Sequence, residues 1–117
     1  MTSHLTQGQA SAWVQRFAAL IPQGLVLDCA SGGGRHARLL AELGHQVLAC
    51  DRDAAALAST QHPQITCVQC DLETEDAQHH ANWPFAPHRF AGIVVTNYLH
   101  RPLFPAMLDS LISGGVL

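Results

Sequence analysis

Lysine is missing from this chain of 117 residues, and all six basic side chains are arginines. That excludes a phosphate-binding P-loop and covalent chemistry based on a lysine amine. Charge of either sign is sparse, at 13% of residues, and the net charge of −3 comes with no basic cluster. The phosphate footprint of a nucleic-acid binder is therefore not expected. No apolar run approaches membrane-spanning length, and the first residues do not read as a basic segment followed by an apolar core. Cys29, Cys50, Cys67 and Cys70 do not form a disulfide framework; they read as small buried residues of a protein in a reducing cytoplasm. Cys67 and Cys70 have the spacing of a metal or redox pair. On a strand, however, positions three apart point to opposite faces and cannot chelate together, so no metal is expected.

What is present suits one folded domain, since 48% of the residues are hydrophobic. The chain is organised around Leu25-Val26-Leu27-Asp28-Cys29-Ala30-Ser31-Gly32-Gly33-Gly34-Arg35-His36. A short apolar run ends on a carboxylate, passes through three glycines and enters a helical stretch. Glycines let a backbone approach a ligand closely, and the helix N-terminus behind them offers free N–H groups. This is how a nucleotide-like cofactor is held at the carboxyl end of a first parallel strand.

Around that turn the pattern alternates. From about Gln9 to Leu20, Trp13, Phe17 and Leu20 mark the buried face of a leading helix, broadened by Val14 and Ile21. Leu25 to Asp28 is the first strand. A helix follows with His36, Leu39, Leu40 and Leu43 on one face, ended by Gly44. Gln46 to Cys50 is the second strand and closes on Asp51. Asp53 caps a short helix over Ala54 to Ser59. Ile65 to Cys70 is the third strand, closing on Asp71. Leu72 to Arg89 is a long acidic connection with a short helix around Glu75 to Ala81, a solvated His79-His80 pair, and Trp83-Pro84-Phe85 as an apolar anchor. Phe90 to Thr96 is a fourth strand covered on both faces. Leu103 to Ile112 reads as a helix, and Gly114 to Leu117 as the opening of a fifth strand. Strands alternating with helices predict a doubly wound, Rossmann-like parallel sheet in three α/β/α layers.

Two ligand classes compete for the glycine turn. Gly32-x-Gly34-x-x-Ala37 fits the relaxed dinucleotide fingerprint, and Asp51 stands where the ribose-binding acid would be. Asp28 distinguishes the two. In a dinucleotide site an acid at that place would face the pyrophosphate, whereas it suits a cationic ligand end such as an ammonium group. S-adenosylmethionine carries an ammonium, a ribose diol and an adenine amino group. Asp28, Asp51 and Asp71, at the ends of three successive strands, offer acceptors in that order.

Val26 to His36, continued through Ala37 to Asp53, resembles the glycine motif of class I S-adenosylmethionine-dependent methyltransferases. Trp13-Val14-Gln15-Arg16-Phe17 and Thr96-Asn97-Tyr98-Leu99-His100-Arg101-Pro102-Leu103 resemble segments of a bacterial small-molecule branch, distantly like tellurite-resistance methyltransferases. The resemblance implies one cofactor-binding domain over residues 1–117, with residues 1–24 as its leading helix segment. It implies that S-adenosylmethionine is held by Asp28, Ala30, Gly32, Gly34, Asp51, Arg52, Asp71, Leu72 and Asn97. His100 and Tyr98 are the implied catalytic residues, since the turn after the fourth strand faces the methyl group. His100 has the intrinsic pKa of a base, and a structural hydrogen-bonding role beside Pro102 stands equally beside it. The family's amine-methylating Asn-Pro-Pro-Tyr motif is absent, which favours a small-molecule acceptor over a DNA base.

The chain departs from the family at Ala30, where a glycine is usual, and at Ala91, where an acid is frequent. The family's sheet has seven strands, so the sequence is expected to lack the last ones. The fourth strand would then keep an open edge, inviting a homodimer or a strand-completing partner. A nicotinamide-dependent oxidoreductase and a non-catalytic cofactor-binding subunit are the alternatives.

Overall fold

The computed structural model describes residues 12–29, 31–70, 72, 83–95 and 103–117. Helix α1 (Ala12–Ala18) leads into strand β1 (Leu25–Cys29), helix α2 (Arg35–Glu42) and strand β2 (Gln46–Asp51). Helix α3 (Ala54–Ala58), strands β3 (Ile65–Gln69) and β4 (Phe90–Val95), helix α4 (Phe104–Asp109) and strand β5 (Leu111–Val116) follow. The sheet order is β3-β2-β1-β4-β5 and every pair is parallel. The chain reverses its direction of winding between β1 and β4, the place where such sheets open a crevice for ligands.

Alternation along the strands divides the interior in two. Val26, Val47 and Ala49 face α1, α2 and α3, and pack with Ala18, Ala37, Leu40, Ala41 and Leu57. Leu27, Cys29, Leu48, Cys50 and Ile93 face the other way, onto Phe85, Phe90, Leu103 and Met107. Apolar side chains cover both faces of the sheet, which is why β1, β2 and β4 read as nearly continuous apolar runs.

The expected helix faces are corrected. In α1 the buried side chains are Val14 and Ala18, while Trp13 is 68% and Leu20 63% exposed. In α2 they are His36, Ala37, Leu40 and Ala41, and Leu43 lies in the open. In α1 a small residue, Ala18, shares the contact with Val14, whereas α2 sets Leu40 into the sheet between Ala37 and Ala41. Gly44 does end α2: its N–H bonds the Ala41 carbonyl while the His45 N–H reaches back to the Leu40 carbonyl. Asp53 caps α3, its carboxylate accepting from the Ala55 and Ala56 N–H groups.

The last helix is also shorter than expected. It stops at Asp109 because Ser110 is claimed by the segment before β4. The Arg89 and Phe90 N–H groups both bond the Ser110 carbonyl, at 2.7 and 2.8 Å, and Trp83 Nε1 donates to Ser110 Oγ at 2.6 Å. A carbonyl so engaged points out of the helix ladder. Strand β5 therefore begins at Leu111, before the glycine pair, and pairs with β4. Beside the fourth strand, β5 covers only the first half, Phe90 opposite Leu111 and Gly92 opposite Val116, with a bulge between, so the open edge expected at Ile93–Val95 remains without a β5 partner. The anchoring role read for Trp83-Pro84-Phe85 is seen in edge-on ring contacts from Trp83 to Phe85 and from Phe85 to Phe90. The helix expected around Glu75 to Ala81, the His79-His80 pair and Thr96 lie outside the described residues.

Candidate functional site

The glycine turn connects β1 to α2 at the carboxyl edge of the sheet. Gly32 (φ 55°) and Gly34 (φ 82°) both adopt left-handed backbone, a conformation costly for any other residue. Gly34 has a second reason: a Cβ there would run into the side chain of Thr60, which is buried just after α3. The turn is tied to the neighbouring strand at two points. The Ser31 N–H bonds the Cys50 carbonyl at 2.9 Å. The Gly32 N–H donates to Asp51 Oδ2 at 2.8 Å, while Asp51 Oδ1 accepts from the Asp53 N–H at 2.8 Å. The half-buried Asp51 carboxylate thus sets the glycine turn and the start of α3 at once, and each oxygen keeps capacity for a further donor.

Asp28 is only 1% exposed and shares the α2 side of β1 with Val26. The Ala37 N–H, in the first turn of α2, donates to its carboxylate. Its Oδ2 has no partner, and neither does Ser31 Oγ nearby in sequence. Buried polar atoms in folded proteins are ordinarily satisfied, so two orphans at one turn stand out among the described residues. Burial pushes the Asp28 pKa up to about 7; the negative charge of Asp51 adds to this, against the Ala37 N–H and the Arg35 charge. His36 is held neutral, its pKa lowered by burial and then by Arg35.

Beyond Asp51 an open recess of about 670 Å³ lies between the ends of β2 and β3, lined by Arg52, Asp53, Gln69 and Cys70. Gly32, Gly34, Asp51 and Arg52 therefore stand at one edge of the sheet, with Asp28 buried behind the turn. Leu72 sits elsewhere, 5% exposed in the apolar layer with Phe85 and Phe90. Ala30, Asp71, Asn97, Tyr98 and His100 lie outside the described residues. Ser31 and Thr60 were missed in the sequence. The place of Ser31 inside the glycine motif was a signal; Thr60 gave none, because its contact with Gly34 depends on how α3 packs.

The cysteines do different work. Cys67 is exposed at the sheet edge and its thiol reaches the Thr60 carbonyl at 3.5 Å. Burial pushes the Cys29 thiol up to about 12 and Cys50 higher still, so both remain protonated.

A family profile described as a methyltransferase domain matches residues 26–113. The protein-L-isoaspartate O-methyltransferase of Synechococcus sp. (strain JA-2-3B'a(2-13)) is 30% identical over 115 residues, covering 97% of this chain and 46% of that protein. A candidate S-adenosyl-L-methionine-dependent methyltransferase from Methanococcus maripaludis superposes with a TM-score of 0.70 at 19% identity, over 88% of this chain and 51% of its own. The glycopeptide N-methyltransferase MtfA, solved with S-adenosyl-L-methionine, gives 0.67 at 24% identity, over 92% and 48%. The chain thus spans about half the length of the relatives it matches. By the profile match over residues 26–113, and by its fold, the chain belongs to the class I S-adenosylmethionine-dependent methyltransferases.

Proposed function

We propose that this chain binds S-adenosylmethionine at the glycine turn and serves methyl transfer to a small-molecule acceptor. The observation that carries the reading is the junction of β1 and β2. There the Asp51 carboxylate fixes the Gly32 N–H, and Asp28 Oδ2 and Ser31 Oγ stand buried without partners. These groups fit the cofactor: an acceptor for a ribose diol at Asp51, and oxygens for an ammonium end at Asp28 and Ser31. The recess beside Arg52 and Gln69 is then the place for the base. Ala30, Asp71 and Asn97 are proposed to complete the cradle, and Leu72 to support it from the apolar layer.

The bound sulfonium supplies an already activated methyl carbon. The protein's part is alignment, worth several kcal/mol when the reacting atoms are held in line. Tyr98 and His100, on the turn that follows β4, are proposed to orient the acceptor, with His100 taking a proton where the nucleophile is weak. A small acceptor is supported by the sparse charge and the absence of a basic cluster. Among the described residues no helix is long and apolar enough to cross a membrane. The four free thiols support a cytoplasmic setting. The half-covered edge of β4 supports a homodimer or a strand-completing partner.

Titration calorimetry with S-adenosylhomocysteine tests the cofactor. Binding of S-adenosylhomocysteine with none of NADH is expected; tight NADH binding with no response to S-adenosylhomocysteine would establish the oxidoreductase alternative instead.

A further inference from the structure

Three of the four thiols meet on one face of the sheet. Cys29 of β1 stands opposite Cys50 of β2 in the parallel register, and Cys50 stands opposite Val68 of β3. Cys70 comes two residues after Val68 and so returns to the same face; all four side chains pack in one apolar layer. The three thiols are not equally placed. Cys29 and Cys50 are fully buried, whereas Cys70 is half-buried and lines the recess with Arg52, Asp53 and Gln69. After burial itself, Cys70 is the neighbour that most raises the Cys50 thiol, while on Cys29 it comes after Asp28. Cys70 is thus the thiol of this group with an outlet, and Cys50 is the one behind it.

We infer that Cys70 and Cys50 form a reversible disulfide that closes the recess. A hydroperoxide entering the recess meets the Cys70 sulfur first. The sulfur takes one oxygen, the O–O bond breaks, and water or an alcohol leaves. The Cys50 sulfur then attacks the resulting sulfenic acid: S–S forms as S–O breaks, and the hydroxyl departs with the Cys50 proton as water. The two thiols give up two electrons and the peroxide takes them. A small dithiol reverses the step by exchange and becomes a disulfide itself. Burial keeps Cys29 and Cys50 protonated and away from oxidants in solvent, which fixes Cys70 as the point of entry. Cys70 follows the last residue of β3, where the chain leaves the sheet, and can give the movement that an S–S bond of about 2 Å needs. That movement pulls on the recess at two places. The Cys70 N–H bonds the Asp51 carbonyl at 3.1 Å, and Gln69 Nε2 donates to the Arg52 carbonyl at 3.1 Å. Cys67 takes no part, because its thiol turns to the Leu57 and Thr60 carbonyls around α3. The effect on the cofactor rests on the base lying in this recess, as proposed above; the bond itself does not.

The test is treatment of the full chain with hydrogen peroxide, alkylation of the remaining thiols under denaturing conditions, and peptide mapping. Cleavage after arginine puts Cys50 in residues 39–52 and both Cys67 and Cys70 in residues 53–89. A linked pair of these peptides, two hydrogens lighter than their sum, is expected in the wild type and in Cys67→Ser, and none in Cys70→Ser. With Cys67 gone, Cys70 is the remaining thiol of its peptide, so the Cys67→Ser result assigns the bond even if Cys70→Ser does not fold. The linked protein should bind S-adenosylhomocysteine at least fivefold more weakly, and dithiothreitol should restore the affinity. Loss of the link in Cys67→Ser would overturn the disulfide, as would sulfinic acid at Cys70 with Cys50 alkylated. Equal affinity of the linked and reduced proteins would overturn the closure of the recess. A reduced protein that binds no S-adenosylhomocysteine would overturn the cofactor reading instead, and the linked peptides would still decide the bond.

Discussion

Asp28 and Asp51 end adjacent strands with the same functional group, yet burial gives them opposite tasks. Asp51, half-buried, can accept from a ligand and from two backbone N–H groups together. Asp28 is sealed, with a pKa raised to about 7, so its folded value lies above its unfolded one. Its favourable state is the protonated one: the contribution to stability is full below about pH 4 and is lost as pH rises through about 7. The loss is on the order of 4 kcal/mol. Asp28→Asn should therefore flatten the pH dependence of urea unfolding between pH 4 and 8, a range set by that same displaced value. An equal slope in both proteins would show that Asp28 ionises freely. A cationic ligand reverses the preference, so S-adenosylhomocysteine should bind more tightly above pH 7 than below it in the wild type only. At Asp51, alanine should weaken that ligand by about 1.5–3 kcal/mol, since a diol loses its charged acceptor. The Gly32 and Asp53 N–H groups lose theirs too, so calorimetry must be paired with an unfolding curve. Unchanged affinity in a folded Asp51→Ala protein would confine Asp51 to that backbone role.

The elements were legible where chemistry punctuates the chain and illegible where packing chooses between two apolar faces. Strand ends at Asp51, the Asp53 cap and the stop at Gly44 follow from local rules, and the structure keeps each of them. The face of α1 does not follow, because Trp13/Phe17/Leu20 and Val14/Ala18/Ile21 are both apolar stripes at helical spacing. Size favours the first in a sequence, whereas the sheet takes the second: Ile21 lies so close to Gly92 that a Cβ there would be 2.8 Å from Ile21 Cγ2. The early end of α4 is hidden for a similar reason, since the groups that capture Ser110 come from the 83–90 segment. The same dependence on neighbours makes Gly34 testable. Gly34→Ala should cost about 2–4 kcal/mol, part from the left-handed backbone and part from the collision with Thr60. Adding Thr60→Ala removes two of the three atoms in the way. The pair should then show a favourable coupling of about 1–2 kcal/mol in a double-mutant cycle. Strict additivity would mean that the backbone angle alone demands the glycine.

Across the whole molecule, β1 is the strand on which everything meets, and its two neighbours come from very different stretches of chain. On one side stand residues 46–50, on the other residues 92–95. Closing the first pairing orders only the glycine turn and α2; closing the second must restrain all of the chain between. Every described group that shapes the glycine turn, from Asp28 through Asp51 to Thr60, belongs to the nearer half. Folding should therefore have an early and a late side. Val47→Ala, on β2 beside Val26 and in the layer of α2, is expected to slow refolding, while Ile93→Val mainly speeds unfolding in stopped-flow chevrons. The reverse pattern would place β4 in the nucleus. As the chain leaves the ribosome, the half that carries the glycine turn would be in place while one flank of β1 still waits for its neighbour.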